Sequence, residues 1–394
     1  MNKKMLELGN NRSIIRELFE FSKIQKEKYG AENVYDFTLG NPSVPPHKKV
    51  DETIIELLNT KPSSYNHGYT SAPGDIEVRK EIAKDLNNRF NTNYLFSNIY
   101  MTCGAAASLC ITLKALTESE NDEILAMAPY FTEYKVFVES AGAKFGIVPA
   151  NETFGINFNE LEKMINKNTK AIIVNSPNNP SGVVYSKDEL VKFSELLSKK
   201  EKEYNHSIYL VCDEPYREIV YDGLLVPHIP SIYHNTVICY SYSKCLSLPG
   251  DRIGYILVPD QVDDSKDLYA ACLGAGRALG YVCAPSLYQK VIERCASITS
   301  DMNEYKKNRD LLYNGLRKIG YDCVYPQGAF YLFVKSLEPD ANNFMEKAKK
   351  YNIVIVPSDG FGVKGYVRLA YCVSSKTIVD SLPAFEKLYK EYNA

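Results

Sequence analysis

The feature that most constrains this chain is an alternation. Short β-prone runs recur at NIYMTC (98–103), DEILAMA (122–128), AKFGIVPA (143–150), KAIIVNS (170–176), SIYLVCDE (207–214), TVICYSYS (236–243) and RIGYILVP (252–259). Helical patterns such as SKDELVKFSELLSKKEKEY (186–204) lie between several of them. Strands separated by helices predict a mainly parallel sheet covered by helices on both faces. Near-continuous apolar runs such as AIIV fit burial on both sides. After about Pro285 the pattern changes. A helical stretch over 286–320 leads into the more widely spaced strands GAFYLFVK, NIVIVP and YVRLAY, which reads as a second α/β unit entered by one long helix.

Within this frame one segment, CYSYSKCLSLPGDRIGY (239–255), sets a chemical question. Lys244 follows a strand-like run and sits among Ser241, Ser243 and Cys245, with no charged neighbour before Asp251. Most lysines are solvated surface groups, but these neighbours are those of a pocket wall. Ser241-Tyr242-Ser243-Lys244 also matches Ser-x-x-Lys literally. That chemistry needs S-D-N and K-T-G elements as well, and neither tripeptide occurs in the chain. The third reading is an imine-forming lysine holding pyridoxal phosphate, with its pKa lowered by a nearby cation. Ser241, Ser243 and Arg252 are then placed to bind the phosphate, Arg252 in bidentate fashion.

That reading demands further groups, and the sequence supplies candidates. A carboxylate is needed beside the pyridine nitrogen. VCDEPYRE (211–218) ends a strand with Asp213, at the sheet edge where open α/β folds place ligands, and Tyr216 is in reach of the ring hydroxyl. TCGAAASLCITLKAL (102–116) has the form of a strand end, a glycine and a helix start, an anion cradle. In VNSPNNPSG (174–182) the Asn179 amide is a candidate for the ring hydroxyl. In APYFTEY (128–134) Phe131 is the candidate to lie on the ring, since the chain has no Trp. Arg368, alone in the apolar strand of GYVRLAYC, needs an anion, which a substrate α-carboxylate provides. Read singly, these are a turn, a helix start, a loop and a structural ion pair.

Taken together and in order, the motifs FTLGNPSVPP, GYTSAPGDIEVRKEIA, GAAASL, APYF, NNPSG, DEPYRE, SYSK with Arg252 eight residues after the lysine, PQGAFYLF and the late arginine resemble the fold-type I, PLP-dependent class I/II aminotransferases of the aspartate aminotransferase superfamily. The resemblance implies a large domain, residues 46–289, with a mainly parallel seven-stranded sheet flanked by helices. It implies a smaller α/β domain from residues 1–45 and 290–394. Lys244 resembles the Schiff-base lysine, which also moves the proton between the substrate Cα and the cofactor. Asp213 resembles the partner of the pyridine nitrogen, Asn179 and Tyr216 the pair on the ring hydroxyl, and Phe131 the stacking residue. Gly104, Ala105, Ala106, Ser241, Ser243 and Arg252 match the phosphate site, and Tyr69 the tyrosine that reaches it from a second subunit, so a homodimer with shared active sites is implied. Gly40 and Arg368, with Asn179, match the substrate-binding groups.

The implied activity is amino-group transfer between an L-amino acid, aspartate-like or other, and a 2-oxoacid such as 2-oxoglutarate. A carbon–sulfur β-lyase or a cyclopropane-forming synthase on the same fold uses the same residues. A transcription regulator with a sensor domain of this fold carries a DNA-binding domain in front, whereas about forty residues precede Gly40 here. Two departures stand out. Ala106 occupies a position where one subgroup carries a lysine for a distal carboxylate, and Arg277 lies near where another places an arginine from the partner subunit. The glycines Gly274, Gly276 and Gly280 miss nucleotide-loop spacing.

Bulk properties exclude several other classes. The net charge of -2 gives no footprint for nucleic acid or an anionic membrane. Ten cysteines form no C-x-x-C pair and none sits near a histidine at metal spacing, so free thiols in a reducing compartment and no metal are expected. The first residues, MNKKMLELGNNRS, lack the apolar stretch of a signal peptide. No apolar run approaches the ~18 residues of a membrane span. The cytoplasm is the expected location.

Overall fold

The computed structural model of the chain describes residues 1–10 and 13–393. A short strand, β1 (Tyr35–Asp36), lies early in the chain. All seven early runs then form strands, and they share one sheet. These are β2 (Ile99–Thr102), β3 (Glu123–Met127), β4 (Lys144–Val148), β5 (Thr169–Asn175), β6 (Tyr209–Asp213), β7 (Thr236–Ser241) and β8 (Gly254–Leu257), in the order β2-β8-β7-β6-β5-β3-β4. The pairs β3–β4, β3–β5, β5–β6 and β6–β7 are parallel, while β8 runs antiparallel to both β2 and β7. β8 begins at Gly254 and not at residue 252, because Arg252 takes a left-handed backbone (φ 53°) that no strand accommodates.

Strand periodicity sorts the side chains. Ile172 and Val174 of β5 pack on one face with Ile82, Leu190 and Phe193 from the helices Ile76–Phe90 and Lys187–Tyr204. Their neighbours Ala171 and Ile173 pack on the other with Leu109, Leu113 and Val138 from Ala105–Leu116 and Tyr134–Ala141. Both faces are covered, as the near-continuous apolar strands require. Each fully buried Ile, Leu or Val of this kind stabilises the fold by about 1.5–3 kcal/mol. The helix Lys187–Tyr204 shows the local logic. Ser186 and Glu189 form a reciprocal capping box, Leu190, Phe193 and Leu197 make its buried stripe, and Asn205 stops it with φ 56°.

The later segment forms β9 (Tyr331–Lys335), β10 (Ile353–Val354), β11 (Val356–Pro357) and β12 (Tyr366–Ala370). β11, β12 and β9 make an antiparallel sheet, and β10 pairs in parallel with β1, which draws the N-terminal region into this part of the molecule. A separate apolar cluster joins Leu18, Val34 and Phe37 to Leu332, Val354, Leu369 and Phe385.

One expectation is corrected. The stretch 286–320 is two helices, Ser286–Cys295 and Asn303–Ile319, with a break between them. The break carries Ser297, Thr299, Ser300 and Asp301, residue types that favour turns and caps over helix interiors. Asp301 Oδ1 accepts from the Asn303 amide, and the Ser300 amide donates to the Cys245 carbonyl at 2.7 Å, beside Lys244. Val291, Ile292 and Cys295 of the first helix pack in the cluster of the large sheet, and Leu312 and Leu316 of the second in the later cluster.

Candidate active site

The carboxyl ends of the parallel strands bring the first residues together. Asn175, at the end of β5, pairs in register with Asp213, at the end of β6, and Asp213 with Cys239 of β7. β7 ends at Ser241, and the chain turns into the short helix Tyr242–Cys245 that carries Lys244. Ser241 Oγ accepts from the Ser243 amide at 3.1 Å and lies 2.6 Å from Ser243 Oγ, so the two hydroxyls sit side by side.

Lys244 is half-buried. Its Nζ donates to the Gly40 carbonyl at 2.7 Å and lies over the Phe330 ring at 5.5 Å. Burial pulls its pKa down to about 8, helped by Arg252 and Arg368 and opposed by Cys372 and Asp213. Such an amine is deprotonated far more often near neutral pH than an ordinary lysine, which is what an imine-forming nucleophile requires. Gly40 is fixed sterically, since a Cβ there would lie 2.0 Å from the Tyr331 hydroxyl.

Asp213 faces this amine from the sheet. Burial raises its pKa to about 7, with Glu214 adding to the effect and Tyr134 and Lys244 opposing it. The Tyr134 hydroxyl donates to Asp213 Oδ2 at 2.6 Å, while Oδ1 is buried without a hydrogen-bond partner. An unpartnered buried carboxylate oxygen is costly unless a donor arrives. A protonated ring nitrogen is such a donor.

The anion cradle lies next to it. The helix Ala105–Leu116 starts after Gly104 (φ 89°), and no side chain caps its first turn. The amides of Ala105 and Ala106 therefore stand at a helix N-terminus open to an anion. Arg252 is exposed, donates to the Pro249 carbonyl at 2.9 Å, and has Nη2 only 3.1 Å from where a Cβ on Gly104 would project. Lys244, the Asp213 oxygen and this cradle thus fit the three ends of pyridoxal phosphate: aldehyde, ring nitrogen and phosphate.

Arg368 lies near enough to Lys244 to help lower its pKa. It is fully enclosed, with its guanidinium 4.7 Å from the Tyr331 ring and 5.2 Å from that of Phe361. Nη1 donates to Asn179 Oδ1 at 3.1 Å and Nη2 to the Thr38 carbonyl at 2.5 Å, and Nε has no partner. Among the described residues no carboxylate pairs with it. Burial lowers its pKa, the direction of an enclosed cation short of an anion. Asn179 is held through its amide by Asn175 Oδ1 at 2.7 Å, and Asn175 in turn donates to the Asp213 carbonyl.

Tyr216 is buried with its hydroxyl 2.8 Å from that of Tyr331. Phe131 is half-buried and meets Tyr134 edge-on at 5.7 Å. Tyr69 is 92% exposed, and Arg277 is exposed with no ion pair among the described residues, so neither joins the cluster within one chain. The sequence reading left out Tyr134, Tyr331, Asn175 and Thr38. Tyr134 lies three residues after Phe131 at a helix start, and that spacing is its only signal.

The comparisons with known proteins agree with this geometry. Residues 32–382 match the family model for aminotransferase class I and II. The chain is 57% identical to an amino transferase from Eubacterium rectale of solved structure, with a TM-score of 0.98 over 100% of this chain and 99% of that one. It is 28% identical to a probable aspartate aminotransferase of Methanocaldococcus jannaschii over 96% of this chain and 97% of that one. It is 27% identical to an aromatic-amino-acid aminotransferase of Thermococcus litoralis over 97% and 96%. A family-model match over most of the length, on a fold that assembles the expected lysine, carboxylate and arginine, places the chain in the class I and II aminotransferase family.

Proposed function

We propose that this protein uses pyridoxal phosphate to move an amino group between an L-amino acid and a 2-oxoacid. The observation that carries the reading is the pair of buried, unpartnered atoms Asp213 Oδ1 and Arg368 Nε, on two side chains that both act on the Lys244 amine.

When bound, the cofactor supplies an electron sink conjugated to the substrate Cα. The chain's own residues do the rest. Lys244 would hold the aldehyde end of the cofactor, and its amine, with a pKa lowered to about 8, would be the group that takes up the substrate Cα proton. Asp213 would hold the protonated ring nitrogen through its unpartnered Oδ1. Tyr134 holds the carboxylate in place through Oδ2. Arg368 grips the α-carboxylate in a fork, backed by Asn179 and the Thr38 carbonyl, and so fixes the Cα–H bond toward Lys244. Gly104, Ala105, Ala106, Ser241, Ser243 and Arg252 would bind the phosphate. Asn179 and Tyr216 would meet the ring hydroxyl, and Phe131 would cover the ring face. Gly40 leaves the entrance open.

The exposed Tyr69 and Arg277 belong, on this reading, to a homodimer in which each reaches into the neighbouring site. A chain with Lys244→Ala mixed with one carrying Tyr69→Phe tests this. One site of the mixed dimer regains both wild-type groups, and activity returns above that of either variant. Two domains are part of this reading, residues 46–289 and residues 1–45 with 290–394, and the two separate apolar clusters support a division of that kind. Every cysteine is unpaired, which supports a reducing compartment such as the cytoplasm. Among the described residues no helix is long and apolar enough to cross a membrane.

The test of the activity is a half-reaction. The cofactor-loaded protein is mixed with single amino acids and no oxoacid, and both the cofactor absorbance and the released oxoacid are followed. Stoichiometric release of one oxoacid per site, halted until a second oxoacid is added, is the expected result. Continuous release of pyruvate and ammonia would contradict it.

A further inference from the structure

At the amino edge of the large sheet, away from Lys244, three segments converge on a mixed donor set. Glu201 lies in the helix Lys187–Tyr204, one turn beyond Leu197 of its buried stripe, so its carboxylate turns toward the sheet. His234 immediately precedes Asn235 and β7, and Asp263 follows β8, whose antiparallel run ends at the same edge. One ligand atom from each of Glu201, His234 and Asp263 lies within 4.8 Å of the others.

The support behind these groups is already built. Asn235 is fully buried, and its Nδ2 donates both to Glu201 Oε1 at 2.8 Å and to Asp263 Oδ2 at 2.9 Å. Glu201 Oε1 also accepts from the Ile208 amide at 3.0 Å, and Asp263 Oδ2 from Ser207 Oγ at 2.7 Å. One oxygen of each carboxylate is thereby anchored. The other oxygen of Asp263, Oδ1, stands 3.6 Å from His234 Nε2, too long for a hydrogen bond. Tyr233 packs edge-on against the His234 ring at 5.2 Å. A second imidazole, His206, lines the same groove of about 470 Å³. Its Nδ1 lies 3.0 Å from the Ser207 carbonyl, which only accepts, so Nδ1 carries the proton and Nε2 keeps a lone pair with no partner.

We propose that Glu201, His234 and Asp263 form a binding site for one divalent transition-metal ion of the zinc–cobalt class. Imidazole and carboxylate donors suit such ions. Two carboxylates outweigh the positive charge that Lys202 brings to the groove. Tetrahedral ligands at metal bonds of ~2.0–2.1 Å stand about 3.4 Å apart, so the exposed His234 and Asp263 side chains close in by roughly 1 Å. The ion ties the end of a covering helix to the start of β7 and to the segment that follows β8. It lies at least about 15 Å from the catalytic edge, the length of a five-residue strand. It is therefore a structural clamp, separate from amino transfer.

The probe is Co²⁺ added to the full chain in amino-acid-free buffer. The expected result is one equivalent bound with visible d–d bands and no thiolate charge-transfer band, displaced by Zn²⁺ and lost in His234→Ala and in Asp263→Asn. Zn²⁺ should raise the unfolding midpoint of the wild type by a few degrees and leave that of His234→Ala unmoved. Aminotransferase activity of both variants should stay within about twofold of the wild type. A thiolate band alone, the same uptake in His234→Ala, or no binding would each overturn the proposal.

Discussion

Replacing Arg368 with methionine separates recognition of the substrate from folding. A guanidinium has five N–H donors. The structure spends one on Asn179 and one on Thr38, and leaves Nε without a partner. A carboxylate takes two of the remaining donors in parallel. Each charge-assisted hydrogen bond contributes about 1.5–3 kcal/mol, so the pair contributes roughly 3–6 kcal/mol. At ~1.36 kcal/mol per tenfold, the loss in kcat/KM is between about a hundredfold and ten-thousandfold. The fold should survive, because methionine fills the volume without leaving a buried charge unpaired. The assay compares an amino acid with the amine that lacks its α-carboxylate. Arg368→Met should depress the first by that factor and leave the second within about threefold. Equal losses on both substrates would refute the carboxylate role and point to general disruption of the site.

Asp213 gives a pH signature in the cofactor-free protein. Its folded pKa of about 7 lies above the ordinary 3.8, so between those values the folded state holds a proton that the unfolded state has released. The stability contributed by this group therefore falls as pH rises from about 4 to 7, and Asp213→Asn should flatten that part of the profile in chemical denaturation. Tyr134→Phe removes the hydrogen bond that lowers this pKa, so the inflection should move to higher pH. Gly104→Ala places a methyl group at φ 89° and 3.1 Å from Arg252 Nη2, and should weaken cofactor binding in equilibrium dialysis by about tenfold, with folding retained.

The large sheet was readable because both-sided burial leaves continuous apolar runs, and Ile172 to Val174 show it directly. Its edges were less so. Arg252 delays the start of a strand through a backbone angle that the residue name does not announce. The stretch 286–320 reads as one helix by its apolar period, and only the residue types at Ser297 to Asp301 divide it. Lys244, Asp213 and Arg368 were legible because each is a charge in an apolar context that needs a partner. Tyr134 and Tyr331 were not. Their value lies in where a hydroxyl points across the fold, at separations of 79 residues to Asp213 and 115 to Tyr216. Tyr69 and Arg277 are surface residues in one chain, and any role they have is set by a second one.

The central claim is that Lys244 holds the cofactor. Borohydride reduction of the cofactor-loaded protein, followed by peptide mass analysis, tests it most directly. The account predicts one reduced pyridoxal phosphate per chain, on the peptide containing Lys244, and none at that site in Lys244→Ala. A label on another lysine, or an unlabelled Lys244 peptide from fully loaded protein, would contradict it.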